Sequence, residues 1–169
     1  EAADRALALA DSAGTDDLVL VLMSGGASAN WIAPAEGISF EDKQAVTRAL
    51  LRSGAAIGDI NTVRKHLSRI KGGRLARHAH PAKLLTIAIS DVPGDDPSAI
   101  GSGPTVPDPT TLADARAIIA KYKIAPPAAI TQALTNQKNE SPKPDDPAFA
   151  GSQFKLAARP ADAISAGIG

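Results

Sequence analysis

Cysteine is absent from the 169 residues, which excludes a disulfide framework, a thiolate zinc site and a cysteine nucleophile. Aromatic side chains are scarce, at 3%, so the core has to be built from the Ala, Leu, Ile and Val that dominate an apolar content of 44%. The few scattered rings offer no stacking platform for bases, and no basic run tracks a phosphate backbone. Nucleic acid is therefore not an expected partner. Charge of one sign is not in excess: 18 basic and 18 acidic residues cancel. No apolar run approaches the length that spans a bilayer, so no membrane partner is expected. The first residues do not read as a signal peptide, and the composition is compatible with the cytosol.

What is present is enough chain for one domain with a real core. Residues 2–12 read as an Ala-rich helix without an N-cap before it. The stretch after Pro160 reads as a helix that starts and stops. Both edges read as cut, which leads us to expect a piece of a longer protein. Between them, LVLVLM over 18–23 and LLTIAI over 84–89 are continuous apolar runs, the pattern of parallel strands covered on both faces. Residues 154–158 give a third strand.

Helical signals fill the gaps. Ser39 reads as an N-cap, with Glu41 and Asp42 in the first turn and Val46, Leu50 and Leu51 as the apolar stripe. Asn61 reads as the cap of a shorter helix through Val63, Leu67 and Ile70. Thr110 or Thr111 caps a helix carrying Leu112, Ala115, Ile118, Ile119 and Tyr122, and Pro126 and Pro127 open another that ends near Leu134. Residues 136–151, polar and rich in Pro, read as a flexible connection. Strands alternating with helices predict an α/β layered fold with a parallel sheet.

Three constellations could carry chemistry. The first is Ser24-Gly25-Gly26-Ala27-Ser28, directly after a strand, where small residues let the backbone approach an anion; the alternative is a tight packing turn. It is neither a P-loop, nor the dinucleotide fingerprint, nor a nucleophile elbow. The second is NTVRKHLSRIKGGR. On a helix, Asn61, Arg64, Lys65 and Ser68 share one polar face, and Lys71 and Arg74 flank Gly72-Gly73. Arg64, Lys65, Arg69, Lys71 and Arg74 mark an anion site or a solvated face. The third is SDVPGDDPSAIGSGPT after the second strand. Asp91, Asp95 and Asp96 could hold Mg²⁺ or a hydroxyl, or one could act as base, and Ser102-Gly103 adds further small-residue backbone. Asp108 reads as a turn residue between prolines, His66 as a packing or capping residue, and Met23 and Trp31 as core. His78 and His80 have ligand-like spacing but lack an evident third ligand. Cations and backbone N–H groups for phosphates beside a carboxylate for Mg²⁺ or the attacking hydroxyl are the parts of phosphoryl transfer.

The words SGGASANWIAPAEGIS, EDKQAVTRALLRSGAAIGDINTVRKHLSRIKGGRLA and ISDVPGDDPSAIGSGPTVPDPTT, in that order, closely resemble the bacterial type of glycerate 2-kinase. This is the MOFRL-associated family, some of whose members are labelled hydroxypyruvate reductase from a tartrate degradation context. The resemblance covers most of 3–125 and continues more weakly to the end. It implies ATP-dependent phosphorylation of D-glycerate to 2-phosphoglycerate, with Mg²⁺, in the cytoplasm. It also implies a Rossmann-like domain with helices on both faces of the sheet, of which 1–169 would be the central part. A second domain would lie elsewhere in the chain and close the cleft. This stretch would lack a preceding glycine- and lysine-containing motif, so catalysis by it alone is not expected.

By position, the family's SGGGS loop falls on Ser24 to Ser28, with Ala27 in place of the third glycine, a change expected to restrict that turn. Its RKHLS-KGGR motif falls on Arg64, Lys65, His66, Ser68, Lys71, Gly72, Gly73 and Arg74. SDVPGDD brings in Ser90, Asp91, Asp95 and Asp96, and SGPT brings in Ser102, Gly103 and Thr105. On chemical grounds Asp91, Lys71 and Arg74 are the catalytic candidates. Asp91, Asp95 and Asp96 are the metal candidates, and the rest, with Asn61, are expected to bind substrate or phosphate. Two other readings stand beside the kinase. One is an NAD(P)H-dependent hydroxypyruvate reductase, which would need a dinucleotide fingerprint that this stretch does not supply. The other is a non-catalytic binder of a small organic acid.

Overall fold

The computed structural model describes residues 1–159. Strands β1 (Leu18–Met23), β2 (Lys83–Ile89) and β3 (Ser152–Ala158) form one sheet in the order β1-β2-β3, and both pairings are parallel. The α/β layered architecture with a parallel sheet is therefore present. The helix expected after Pro160 lies outside the described residues.

Two cores flank the functional loops. In the first, the small-residue faces of α1 (Ala2–Asp11) and α5 (Arg74–Ala79) pack on the side of the sheet that carries Val21, Met23, Leu84 and Ala88. In the second, α3 (Phe40–Arg52), α4 (Ile57–His66), α6 (Leu112–Lys121) and α7 (Ala128–Thr135) bury Val46, Leu50, Val63, Leu112 and Ile130 among themselves. A one-turn helix, α2 (Ala27–Asn30), follows β1. The strands were expected to be buried on both faces, yet Leu18, Leu20 and Leu22 are 60%, 52% and 69% exposed and Ile89 is 50% exposed. Strand side chains alternate between faces, and in the described residues α1 and α5 cover only one of them.

Local chemistry explains which helix boundaries the sequence announces. The Ser39 hydroxyl accepts the Asp42 N–H at 3.0 Å, and Thr111 with Asp114 forms a reciprocal capping box. Helix α4 differs from expectation. It begins at Ile57 after Ala56, which has no capping side chain, and Asn61 sits inside it. It also stops at His66 rather than running on to Ile70. The short helix α5 was not expected either; it starts from Gly73, which adopts φ +81° as its N-cap.

The polar stretch 136–151 is held against the body rather than left as a loose connection. Arg74 donates to the Asn139 carbonyl at 2.5 Å, the Asp108 N–H donates to the Pro142 carbonyl at 3.0 Å, and Arg77 pairs with Asp146 at 2.5 Å. Glu140 is the main fastening. It accepts the Leu112 N–H at 2.9 Å and Lys143 Nζ at 2.6 Å, and it lies 3.1 Å from His66 Nε2. Burial pushes its carboxyl up, but these donors outweigh burial and hold it down to about 2, against an ordinary 4.5. A depressed carboxyl contributes stability that is full above its unfolded value and lost as pH falls toward the folded one. Glu140→Gln is therefore expected to lower the urea midpoint at pH 7, with the gap to wild type narrowing between pH 4.5 and pH 2. A gap that stays constant across that range would contradict the assignment.

Candidate active site

The loops after β1 and β2 lie side by side at the carboxyl ends of the strands, where parallel sheets place ligands. Gly25 explains how they approach: a Cβ there would stand 2.8 Å from Asp91 Oδ2. Gly26 turns the chain with φ +85° and caps α2. Ala27 lies within α2, with no positive φ, so replacing the third glycine of the motif does not restrict the turn.

Lys71 joins these loops. It is 1% exposed, and its Nζ donates to the carbonyls of Ser28 at 3.0 Å and Gly101 at 3.2 Å. Arg64 donates to the same Ser28 carbonyl at 3.0 Å. Burial, and then the Arg64 charge, push the Lys71 ammonium down to about 7. Two clefts meet at Ser28 and Arg64. One, of about 320 Å³, is lined by Lys43, Arg48 and Lys71 as well. The other, of about 550 Å³, is lined by Asn61, Asp91 and Asp96 as well. In this second cleft Asn61 Oδ1 is buried without a hydrogen-bond partner among the described residues.

The remaining expected site residues divide by what they touch. Gly72 and Gly73 donate their N–H groups to the carbonyls of Ser102 at 3.0 Å and Gly103 at 2.7 Å, which locks the KGGR and SGPT segments together. Ser102 Oγ lies 3.4 Å from Ser28 Oγ. Ser68 Oγ accepts the N–H groups of Ile70 and Lys71, each at 3.3 Å. The buried Thr105 hydroxyl accepts from Thr86 at 2.8 Å, and Ser90 Oγ bonds locally to Val92. Ser24 is exposed at the end of β1.

Of the five basic residues of this segment, Arg64 and Lys71 face the clefts where Ser28 lies. Lys65 pairs with Asp108 at 3.4 Å, and Arg69 pairs with Asp4 at 2.5 Å. Arg74 spends its guanidinium on the carbonyls of Lys65 (2.8 Å), Lys71 (3.0 Å) and Asn139 (2.5 Å). It sets the backbone around Lys71 and bears on the cleft through that backbone. Burial pushes it down to about 10.

The three aspartates do not converge. Asp91 and Asp96 share the second cleft. Asp96 also accepts the Ser98 N–H and hydroxyl, each at 2.8 Å. Asp95 has φ +54° and lies 3.9 Å from Arg159. Among the described residues no group of three or more histidines and acids could hold a metal by itself. His78 instead meets Asp11 at 2.7 Å.

Sequence reasoning missed Lys43. It is 6% exposed, and its Nζ donates to the Leu67 carbonyl at 2.9 Å. Burial, and then the charges of Lys71, Arg64 and Arg74, push it down to about 7. The signal was available: Lys43 stands three and seven residues before Val46 and Leu50, on the buried stripe of α3.

Residues 1–135 match the family described as a domain of unknown function, DUF4147. A protein of Agrobacterium vitis with the provisional name of hydroxypyruvate reductase is 54% identical over 98% of this chain and 37% of its own length. The D-glycerate 2-kinase of Thermotoga maritima is 46% identical over 82% of this chain and 33% of its own. The crystal structure of a glycerate kinase from Thermotoga maritima superposes with a TM-score of 0.84 at 42% identity, covering 92% of this chain and 36% of that one. The chain thus spans about a third of the length of the relatives it matches. With the motifs, the parallel sheet and the strand-end loops agreeing, the chain belongs to the DUF4147 family, and its resemblance to the glycerate 2-kinases holds in sequence and in fold.

Proposed function

We propose that this chain carries part of the active site of an ATP-dependent glycerate 2-kinase, working in the cytoplasm with a further domain of the same protein. The observation that carries the reading is Lys71, a desolvated cation fixed between the glycine-rich loops that follow β1 and β2. In the reaction the C2 hydroxyl oxygen of D-glycerate attacks the γ-phosphorus of ATP. The new O–P bond forms as the bond to the β–γ bridging oxygen breaks, ADP leaves, and the hydroxyl proton goes to a base, for which Asp91 is the candidate. Lys71 and Arg64 stabilise the negative charge, from positions that need no reorganisation.

The residues also suit Mg²⁺ of the kind that keeps most of its shell for water and nucleotide phosphate and takes only one or two carboxylates. Asp91 and Asp96, sharing one cleft, would hold it. When bound, the ion would neutralise charge on the phosphates. Asn61, whose Oδ1 has no partner among the described residues, offers an acceptor to a substrate or nucleotide hydroxyl. Arg74, Ser68, Gly72, Gly73, Gly103 and Thr105 hold the loops in register.

The name carried by the Agrobacterium vitis relative makes a reductase the second reading. One experiment on the full-length protein separates the two. With ATP, Mg²⁺ and D-glycerate, ADP and 2-phosphoglycerate are expected in equal amounts, while hydroxypyruvate with NADH or NADPH leaves the nicotinamide absorbance flat. Consumption of the reduced cofactor without ADP formation would overturn the kinase reading.

A further inference from the structure

The cleft of about 320 Å³ has a lining charged with one sign. Helix α3 contributes Phe40, Lys43, Gln44, Thr47 and Arg48 from one face, and Arg64 and Lys71 close the opposite side. Among the described residues four cations line it and no carboxylate does, in a chain whose basic and acidic residues are equal in number. None of the four is in a salt bridge among the described residues. Lys43 and Lys71 are almost fully buried, and among the described residues each Nζ meets only main-chain carbonyls. Holding ammonium groups out of water beside one another is costly without a counter-charge. Apolar side chains would fill the same volume more stably.

We infer that this cleft is a pocket for one small oxyanion, a carboxylate or a phosphate group, with Lys43 as its inner cation and Arg48 at its rim. The pocket deepens the kinase reading, on which the identity of its ligand rests. The adjoining cleft holds the acids, so an acceptor whose carboxylate sits by Lys43 can extend past Ser28 and Arg64 toward Asp91. Lys43 is faced by Lys71, Arg64 and Arg74, all cationic, and by no acid of the cleft among the described residues; Glu41 and Asp42, on its own helix, are not among the residues lining it. With its ammonium held down to about 7, an entering anion raises that value, so binding above pH 7 takes up protons.

The test is isothermal titration calorimetry on the full-length protein at pH 8, in two buffers of different ionisation heat. The ligands are D-glycerate, inorganic phosphate, ADP and uncharged glycerol. D-glycerate is expected to bind with proton uptake and glycerol not to bind. Lys43→Gln is expected to weaken D-glycerate about tenfold or more, the scale of a lost charge-assisted bond, and to reduce the uptake, with ADP unchanged. If phosphate and ADP lose affinity and D-glycerate does not, the pocket stands and its oxyanion is a phosphate. If every ligand binds Lys43→Gln as it binds wild type, with the same uptake, the inference is overturned. Should Lys43→Gln not fold, the exposed Arg48→Gln decides: weaker oxyanion binding supports the pocket, and unchanged binding overturns it. Failure of the kinase reading looks different, since D-glycerate would then bind through Lys43 with no ADP formed.

Discussion

Replacing Lys71 with methionine in the full-length protein is expected to lower kcat/KM for D-glycerate by about a hundredfold or more, the cost of removing a preorganised charge donor from a transition state, and yet to leave the fold as stable as before. The two halves of this result have one cause. The Lys71 ammonium is buried and pushed down to about 7, whereas in the unfolded chain it holds its proton to about pH 10. Between those values the unfolded state binds the extra proton, so wild-type stability rises with pH across that window and the charge is a burden below it. Methionine fills the same volume without the charge. The variant is therefore expected to melt at the same temperature as wild type or higher at pH 7, and to lose that relative advantage toward pH 10. Steady-state kinetics and thermal melts at both pH values check the pair. A variant that keeps a third of wild-type activity would remove Lys71 from the machinery. One that loses activity only by unfolding would make it a structural residue.

The parts of this arrangement that could be read from sequence are those written in local patterns. Strands β1 and β2 declared themselves by short apolar runs, and the caps by hydroxyls ahead of the apolar stripes, at Ser39 and at one of the pair Thr110 and Thr111, of which the structure selects Thr111. The site loops were legible because glycines crowd both strand ends and acids crowd the second. What could not be read depends on partners distant in sequence. The start of α4 was invisible because Ala56 caps it with backbone alone. The exposed side of β1 looked like core because an apolar run does not say which neighbours exist to cover it. The basic segment 64–74 could be read as an anion site, but only tertiary contacts divide it. Arg64 and Lys71 reach the cleft, Arg74 is spent on three carbonyls, and Lys65 meets an acid far along the chain. Lys43 was hidden for the opposite reason: its position on the stripe of α3 said buried, and its chemistry said surface.

Asp108 shows how far such a distant partner can matter. Between two prolines it reads as a turn residue, but it is fully buried, and its Oδ1 lies 3.4 Å from the Nζ of the equally sequestered Lys65. The same oxygen accepts the Thr110 hydroxyl at 2.7 Å and the Thr110 N–H at 3.2 Å. Burial pushes the Asp108 carboxyl up, and the Lys65 charge with the Thr110 donors more than reverses that, leaving it below the usual carboxylate value. Its contribution is thus present at neutral pH and lost as pH falls below the ordinary aspartate range. Asp108→Ala is expected to destabilise the protein by about 3–5 kcal/mol, because it leaves Lys65 as an uncompensated buried charge rather than merely deleting one bond. The proof lies in the second substitution. Adding Lys65→Met to Asp108→Ala is expected to recover part of the loss, since it removes the buried charge that Asp108→Ala leaves without a partner. Urea unfolding of the two variants measures both steps. If the double variant is no more stable than Asp108→Ala, the pair is not what Asp108 contributes, and its Thr110 bonds and main-chain contacts carry the effect instead.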